Sequence, residues 1–220
     1  MDSRIYEDTY RHKGLRKKLI NGLRIKGIKD DNVLNAMNNI PRHYFLDSAM
    51  DEIAYEDRAF PISEGQTISQ PYTVAYQTQL LEVKPHDRIL EVGTGSVYQA
   101  TVLADMGARV FTIERLKKLY DQTRNFIFRT KYPNLKFFYG DGFEGLPTYA
   151  PFDKIIITAA APVVPPKLLA QLKTGGKMVI PLAEGPFQRM LRITKNEGDT
   201  LTEETFDSFS FVPMLSGKQG

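Results

Sequence analysis

Apolar and polar residues follow two patterns along this chain, namely short apolar runs and longer segments with helical spacing. Short apolar runs that are rich in β-branched and aromatic residues are typical of buried strands. They predict strands at residues 89–92, 110–114, 135–139, 154–157, 178–180, 190–194 and 208–212. Longer segments with helical spacing predict helices at residues 9–25, 33–37, 73–81, 98–106, 116–128 and 167–172. Strands that alternate with helices indicate an α/β protein.

The first predicted strand and the segment after it are the most informative part of this pattern. Glu91 lies in the strand, Gly93 and Gly95 break it, and Glu114 ends the next strand. Such a βαβ unit places a small ligand at the carboxyl ends of its strands, with an acid within reach of ribose hydroxyls. A dinucleotide fingerprint needs a third glycine where Tyr98 stands, and Glu91 would repel phosphates. S-adenosylmethionine, which has a sulfonium, an ammonium and a ribose but no phosphate, fits better than a dinucleotide or an ordinary strand-to-helix turn.

Composition narrows the class of protein. With 220 residues the chain can bury roughly 70% of its unfolded surface. We expect one domain over residues 1–220, with a helical lead-in and substrate loop at 1–72 and a cofactor-binding sheet at 73–220. The net charge of +3 is too small to imply a nucleic-acid partner. The lack of cysteine excludes disulfides, thiol catalysis and cysteine-ligated zinc, and we expect no metal. Residues 1–10 lack a signal core and no apolar stretch approaches the ~18 residues of a membrane span, so we expect a cytoplasmic protein.

Other polar segments leave alternatives open. The basic helix at 9–25 is more simply a solvated face than an anion-binding surface, and His43 is interpreted as a structural hydrogen-bonding residue. By composition residues 64–72 form a Ser/Thr-rich turn, although their place before a predicted helix leaves a substrate-facing role open. Asp141 could accept the amino group of adenine. The loop at 158–166 lacks the Asn/Asp-Pro-Pro-Tyr-like motif expected of DNA or glutamine methyltransferases.

A set of short motifs spread over residues 22–216 resembles the protein-L-isoaspartate O-methyltransferase family of protein-repair enzymes. The segment GQTISQPY at 65–72 is specific to that family, whereas the glycine turn is common to many methyltransferases. The other matching segments are PRHYF at 41–45, AYED at 54–57, EVGTGS at 91–96, YQA at 98–100, TIER at 112–115, GDG at 140–142, APFD at 150–153, TAAAP at 158–162, GG at 175–176, IP at 180–181 and FVP at 211–213.

The resemblance implies methyl transfer from S-adenosyl-L-methionine to the α-carboxylate of L-isoaspartyl residues in damaged proteins or peptides, which starts repair through a succinimide. A carboxylate with a pKa near ~4 is already ionised at neutral pH, so no general base is needed. The resemblance implies Ser69 as the catalytic residue. Together with the acid argued above, the expected cofactor-binding residues are Thr67, Ile68, Glu91, Gly93, Thr94, Gly95, Glu114, Asp141 and Gly142, and the expected substrate-binding residues are Gln70, Ala160 and Val212.

The fold that these observations predict is a doubly wound, mostly parallel seven-stranded sheet of the Rossmann-like, S-adenosylmethionine-dependent methyltransferase type. An N-terminal helical cap precedes the sheet, and we expect the C-terminal strand to be antiparallel. The resemblance suggests that the last two strands exchange places relative to most methyltransferases. We expect a monomer that acts on isoaspartyl proteins or peptides.

One residue departs from the family's glycine motif. Val97 stands where the family has a third glycine, and Met214 is an extra residue in the family's Val-Pro-Leu ending. A branched side chain is restricted at positive φ and crowds backbone near the cofactor, at about 1 to 3 kcal/mol, or roughly ten- to more than hundred-fold in affinity. We therefore expect Val97→Gly to tighten cofactor binding. The alternative functions are methylation of another carboxylate, and a non-catalytic protein that binds cofactor or peptide.

Overall fold

The computed structural model describes residues 7–185 and 187–220. The first six residues of the polar N-terminal segment lie outside the described part of the chain. Within that part, no helix is long and apolar enough to cross a membrane.

Seven strands form one sheet in the order β5-β4-β3-β6-β7-β8-β9. A separate two-stranded hairpin of β1 and β2 precedes it. The strands are β1 (Phe60–Pro61), β2 (Thr67–Ile68), β3 (Arg88–Val92), β4 (Arg109–Glu114), β5 (Leu135–Tyr139), β6 (Phe152–Ile157), β7 (Leu172–Glu184), β8 (Phe187–Lys195) and β9 (Leu201–Phe209).

The five strands β3 to β7 are parallel, because each is joined to the next by a crossover over one face of the sheet. β8 runs antiparallel to β7, and β9 runs antiparallel to β8, so the last strands are added in chain order. The predicted mostly parallel, seven-stranded fold is confirmed. The reversed strand is the penultimate β8 rather than the last one, which corrects the expectation for the C-terminus.

Helices cover both faces of the sheet. Alternate residues of β3 show this: Ile89 packs on the side of α3 and α4, and Leu90 packs on the side of α6. The α-helices are α1 (Tyr10–Ile25), α2 (Asp31–Asn39), α3 (Pro71–Leu81), α4 (Tyr98–Asp105), α5 (Lys117–Gln122) and α6 (Pro166–Gln171).

The N-terminal helical cap is held by a small polar cluster. Arg16 is 6% exposed, and its guanidinium donates to both carboxylate oxygens of Asp8 at 2.9 Å. Arg16 is therefore a buried ion-pair partner, and at this residue the solvated face predicted for the basic helix at 9–25 is wrong. His43 is also buried, and one ring nitrogen lies 2.7 Å from the Tyr55 hydroxyl, in agreement with a structural role. Burial and the stacked His12 ring lower the pKa of His43.

Among the element boundaries that differ from the sequence prediction, two have a clear physical reason. The predicted helix at 116–128 ends at Gln122, because the Thr123 hydroxyl donates to the Tyr120 carbonyl oxygen and the following Phe126 and Phe128 turn into the core. The last strand is Leu201–Phe209 rather than 208–212. This strand is mostly polar and lacks the apolar run that predicted the other strands. Cross-strand contacts such as the Arg192–Glu204 ion pair stabilise it at the edge of the sheet.

Candidate functional site

A cavity opens where β3 and β4 end. β3 has β4 on one side and β6 on the other, so the chain order reverses here, which is where open α/β sheets bind ligands. Loops after β3, β5 and β6 line the cavity together with the β2 hairpin and the segment after β9. The predicted site residues on its wall are Thr67, Ile68, Ser69, Gly93, Thr94, Gly95, Glu114, Gly142 and Val212.

The glycine loop forms the floor of this cavity. Gly93 has φ +100°, and a Cβ atom there would lie 2.5 Å from the Thr158 hydroxyl oxygen. That hydroxyl donates to the Gly93 carbonyl oxygen at 2.8 Å. Glycine is thus required at position 93 both by the backbone angle and by the close approach of the loop after β6.

Glu114 is held in a fixed orientation at the tip of β4. It is 5% exposed, and its two carboxylate oxygens accept backbone N–H groups of Gly95 at 3.0 Å and Leu116 at 2.9 Å. An ionised carboxylate has about four acceptor sites, so each oxygen keeps capacity for a further donor. The pair formed by the glycine loop and this acid can bind vicinal hydroxyl groups of a ligand.

Glu91 lies beneath the cavity and is not part of its wall. It is fully buried, and within the described part of the chain neither carboxyl oxygen has a hydrogen-bond partner. Burial raises the pKa of Glu91 to about 8, and the Glu114 carboxylate adds to the rise. Glu91 is therefore mainly protonated at neutral pH, and the structure does not support its interpretation as a carboxylate facing a cation.

A second buried acceptor lies on the cavity wall itself. The Gln99 amide nitrogen donates to the Thr78 hydroxyl at 2.9 Å, while the Gln99 carbonyl oxygen has no partner among the described residues. A buried acceptor without a donor is costly unless a ligand supplies one. Gln99 lies in the matching YQA segment, but its role could not be predicted, since a glutamine in a helix carries no signal of its own.

Arg42 fixes the segment that carries Ser69. Arg42 is fully buried, and its guanidinium donates to the carbonyl oxygens of Ser69 and Ala54, both at 3.0 Å. Burial lowers the pKa of Arg42 to about 10, which leaves it charged at neutral pH, and its guanidinium carbon lies 4.9 Å from the Tyr98 ring centroid. Arg42 is a functional residue that sequence reasoning did not single out, although it lies in the matching PRHYF segment.

Ser69 stands at the junction of two cavities. It lines the cavity described above and also a second, adjoining one, as do Thr67, Thr158 and Val212. Its hydroxyl makes no hydrogen bond to any residue that the structure describes. A half-buried hydroxyl in this position can donate to a substrate oxygen that enters from the second cavity and points toward the first.

The predicted substrate residues are only partly brought together. Val212 lines both cavities, and Gln70 lines the second, where its amide nitrogen donates to the Asp57 carbonyl oxygen at 3.0 Å. Ala160 is 7% exposed and lines neither cavity. Its backbone N–H donates to the Val212 carbonyl oxygen at 2.8 Å, so Ala160 supports the wall rather than forming it.

Asp141 contacts the chain's own C-terminal segment. Its two carboxylate oxygens accept N–H groups of Phe143 at 2.9 Å and Gly217 at 2.6 Å. The Gln219 backbone N–H donates to the Arg115 carbonyl oxygen, and the Lys117 backbone N–H donates to the Gln219 carbonyl oxygen. Gly142, not Asp141, reaches the cavity wall, and a Cβ atom on Gly142 would lie 2.4 Å from a Val92 methyl carbon.

Val97 adopts the backbone angle that a glycine would favour. Its φ is +72°, and its side chain is 6% exposed and packs into the apolar cluster between the sheet, α3 and α4. Val97 does not line the first cavity. Position 97 therefore does have the positive φ that restricts a branched residue, but the expected steric obstruction of the cofactor is not supported, because the side chain points into the core.

Sequence comparisons give a consistent family. A family model described as protein-L-isoaspartate(D-aspartate) O-methyltransferase matches residues 14–219. A protein-L-isoaspartate O-methyltransferase from Cytophaga hutchinsonii is 53% identical over 214 residues, covering 97% of this chain and 96% of the relative. The protein of the same name from Flavobacterium johnsoniae is 51% identical over 212 residues, covering 96% and 99%.

Solved structures give the same picture. A crystal structure from Plasmodium falciparum, named protein-L-isoaspartate O-methyltransferase and in complex with S-adenosyl-L-homocysteine, superposes with a TM-score of 0.78 at 28% identity. The match covers 91% of this chain and 98% of that one. A second structure of this name has a TM-score of 0.81 at 27% identity and covers 90% of this chain and 65% of its own.

Proposed function

The chain belongs to the protein-L-isoaspartate O-methyltransferase family, and on that premise we propose that it methylates the α-carboxylate of L-isoaspartyl residues in damaged proteins or peptides. The cofactor of this enzyme is S-adenosyl-L-methionine. The methyl ester of an isoaspartyl residue closes to a succinimide, and hydrolysis of the succinimide returns some normal aspartate.

The residues of the first cavity fit this cofactor. Gly93 and Gly142 line this cavity, and a Cβ atom at either position would collide with the Thr158 or Val92 side chain, so both present only backbone to a ligand. Glu114 offers carboxylate acceptors to ribose hydroxyls, and the unpaired Gln99 oxygen offers an acceptor to an ammonium group. When bound, S-adenosyl-L-methionine supplies an electrophilic methyl group on its sulfonium. Thr67, Ile68, Thr94 and Gly95 would complete the contacts from the wall, with Asp141 holding the C-terminal segment over it.

The chain's own contribution to the reaction is positional. An isoaspartyl α-carboxylate has a pKa near ~4 and is ionised at neutral pH, so no residue has to remove a proton. Ser69 would donate its hydroxyl hydrogen bond to one carboxylate oxygen and leave the other free to react. The buried Arg42 keeps the Ser69 backbone in place without touching the substrate. Alignment of this kind supplies roughly 7 to 11 kcal/mol of barrier reduction in well-oriented systems.

One observation carries this assignment within the structure: Ser69 lines both the cavity at the glycine loop and the adjoining open cavity. A methyl donor and an acceptor peptide need separate entrances and one meeting point. Val212 and Gln70 lie along the entrance that we assign to the peptide, while Ala160 would act only through the Val212 backbone.

The test is methyl transfer from labelled S-adenosyl-L-methionine to an isoaspartyl peptide, with the matching aspartyl peptide as control. We expect base-labile label in the isoaspartyl peptide alone. Label in both peptides would favour a methyltransferase for carboxylates in general, and no label with folded protein would favour a non-catalytic binding protein. Cytoplasmic location, a monomeric state and the absence of a nucleic-acid partner stay predictions from the sequence.

A further inference from the structure

The second cavity has an aromatic wall that the proposed reaction does not require. Tyr72, Phe209 and Phe211 line it, and so does Phe187, whose side chain is 64% exposed. The Tyr72 and Phe209 rings are stacked with centroids 6.3 Å apart, and Phe211 follows at 6.4 Å from Phe209. An exposed aromatic ring beside three half-buried ones, next to a reaction site, is typical of a surface that binds a partner.

A single acid lies within this aromatic wall. Of the described residues that line the second cavity, Asp207 is the sole one with a charged side chain. It is exposed and accepts a hydrogen bond from the Tyr76 hydroxyl at 3.3 Å. Within the part of the chain that the structure describes, Asp207 has no cationic partner. Lys26, whose ammonium nitrogen lies 5.8 Å from the Tyr72 ring centroid, is paired with Asp57 at 2.6 Å.

The backbone of β9 gives Asp207 its place in the cavity. Arg189 pairs with Ser208 and Leu191 pairs with Thr205, so two steps along β8 correspond to three along β9. The extra residue is a β-bulge in β9 immediately before Ser208. Bulges next to active sites turn a side chain away from the direction that regular pairing would give it.

We propose that the second cavity binds a lysine or arginine side chain close in sequence to the isoaspartyl residue of the substrate, with Asp207 as its acidic partner. The inference rests on the proposed function, since it assigns the peptide to this cavity. The aromatic faces pack against the aliphatic stem and attract the cationic group, whereas an acidic side chain here meets the Asp207 carboxylate. Asp207 is thus a specificity residue and takes no part in the methyl transfer.

The experiment compares isoaspartyl peptides that differ at one position. Lysine, glutamine or glutamate is placed in turn one, two or three residues to either side of the isoaspartyl residue, and kcat/KM is measured at low ionic strength. At one position or more we expect the lysine peptide to exceed the glutamine peptide by about three- to tenfold, and the glutamate peptide to be the poorest. Added salt should reduce the difference, because the cavity is open to solvent.

Asp207→Asn is the decisive variant. Asparagine keeps an acceptor for the Tyr76 hydroxyl and removes the charge, so the lysine-to-glutamine ratio should fall close to one. Glu203→Gln removes an exposed acid from the same strand outside both cavities and should keep the ratio. Equal rates for all peptides, or a ratio that Asp207→Asn does not change, would overturn the inference while leaving the methyltransferase assignment intact. No methylation of any peptide would overturn both.

Discussion

The guanidinium of Arg42 donates a hydrogen bond to the carbonyl oxygen of Ser69 at 3.0 Å, across a separation of 27 residues. Its second contact, with the Ala54 carbonyl oxygen, ties the same charge to the segment before the β1 hairpin. Because the buried guanidinium donates hydrogen bonds to main-chain oxygens, it holds the two backbone segments in a fixed position. The position of the proposed catalytic hydroxyl therefore depends on a residue that no substrate touches.

Replacing Arg42 by lysine tests this positioning role. Lysine keeps the charge but cannot reach two separate carbonyl oxygens with a planar fork. We expect a loss of about 2 to 3 kcal/mol in the free energy of unfolding, since hydrogen bonds to charged groups contribute about 1.5 to 3 kcal/mol each. At a temperature where the variant is folded, kcat should fall more than cofactor affinity. Arg58→Lys, at an exposed site, should change neither, and equal losses in both quantities would reduce Arg42 to a purely structural residue.

Ser69→Ala tests the proposed hydroxyl directly. The variant removes one hydrogen bond to a charged oxygen, which corresponds to about ten- to hundredfold in kcat/KM for the peptide. Cofactor affinity measured by calorimetry should change much less. Ser63→Ala, in the turn between β1 and β2, is the control and should leave both unchanged. A loss confined to cofactor affinity would move Ser69 from the substrate to the cofactor.

Glu91 predicts an unusual dependence of stability on pH. Its pKa is about 8 in the folded protein and near 4.5 when unfolded, so the folded state holds the proton more tightly. The stabilisation is complete below about pH 4.5 and is lost as the pH rises through about 8, at 1.36 kcal/mol per unit of pKa difference. Glu91→Gln cannot ionise, so relative to the natural protein it should gain on the order of a few kcal/mol between about pH 5 and 9. Urea unfolding at several pH values measures this difference.

The control for that experiment is Glu197→Gln, at an exposed turn. Its stability should run parallel to that of the natural protein over the same pH range. If Glu91→Gln also ran parallel, Glu91 would be ionised in the folded protein. It would then need a partner of opposite charge.

Val97→Gly separates backbone strain from packing. Relief of the backbone strain of a left-handed valine raises the free energy of unfolding by about 1 to 2 kcal/mol. Loss of the buried side chain lowers it by about 1.5 to 3 kcal/mol, and the greater backbone freedom of glycine in the unfolded chain lowers it by about 0.5 to 1 kcal/mol. We therefore expect a net destabilisation of about 1 kcal/mol, with cofactor affinity unchanged within about threefold. The measurements are urea unfolding and calorimetry. Cofactor binding tightened by tenfold or more would restore the steric argument made from the sequence.

The part of the fold that the sequence predicted well is the part built from local signals. Short apolar runs located β3 to β6, and the acid at the end of β4 was found beside the glycine loop as expected. The edge strand β9 carries alternating polar residues and is stabilised by its partner strand, so periodicity alone misplaced it. Strand pairing between distant segments has no local signature.

The candidate site was predictable only to the same extent. The spacing of residues along the chain predicted the glycine loop and Glu114. Ser69 lies in a turn of ordinary composition, and only the family resemblance identified it as a candidate. Glu91 shows the opposite case, because its motif suggested a charged ligand contact and burial makes it neutral. Charge state depends on depth in the fold, and sequence spacing does not report depth.

The C-terminal segment adds a constraint on biosynthesis. Val212, Met214 and Leu215 line the first cavity, and Gly217 and Gln219 fasten this segment across the ends of β4 and β5. These residues follow every strand of the sheet, so a nascent chain exposes its glycine loop before this wall exists. The wall of the cofactor cavity is therefore complete only when this last segment of the chain is in place.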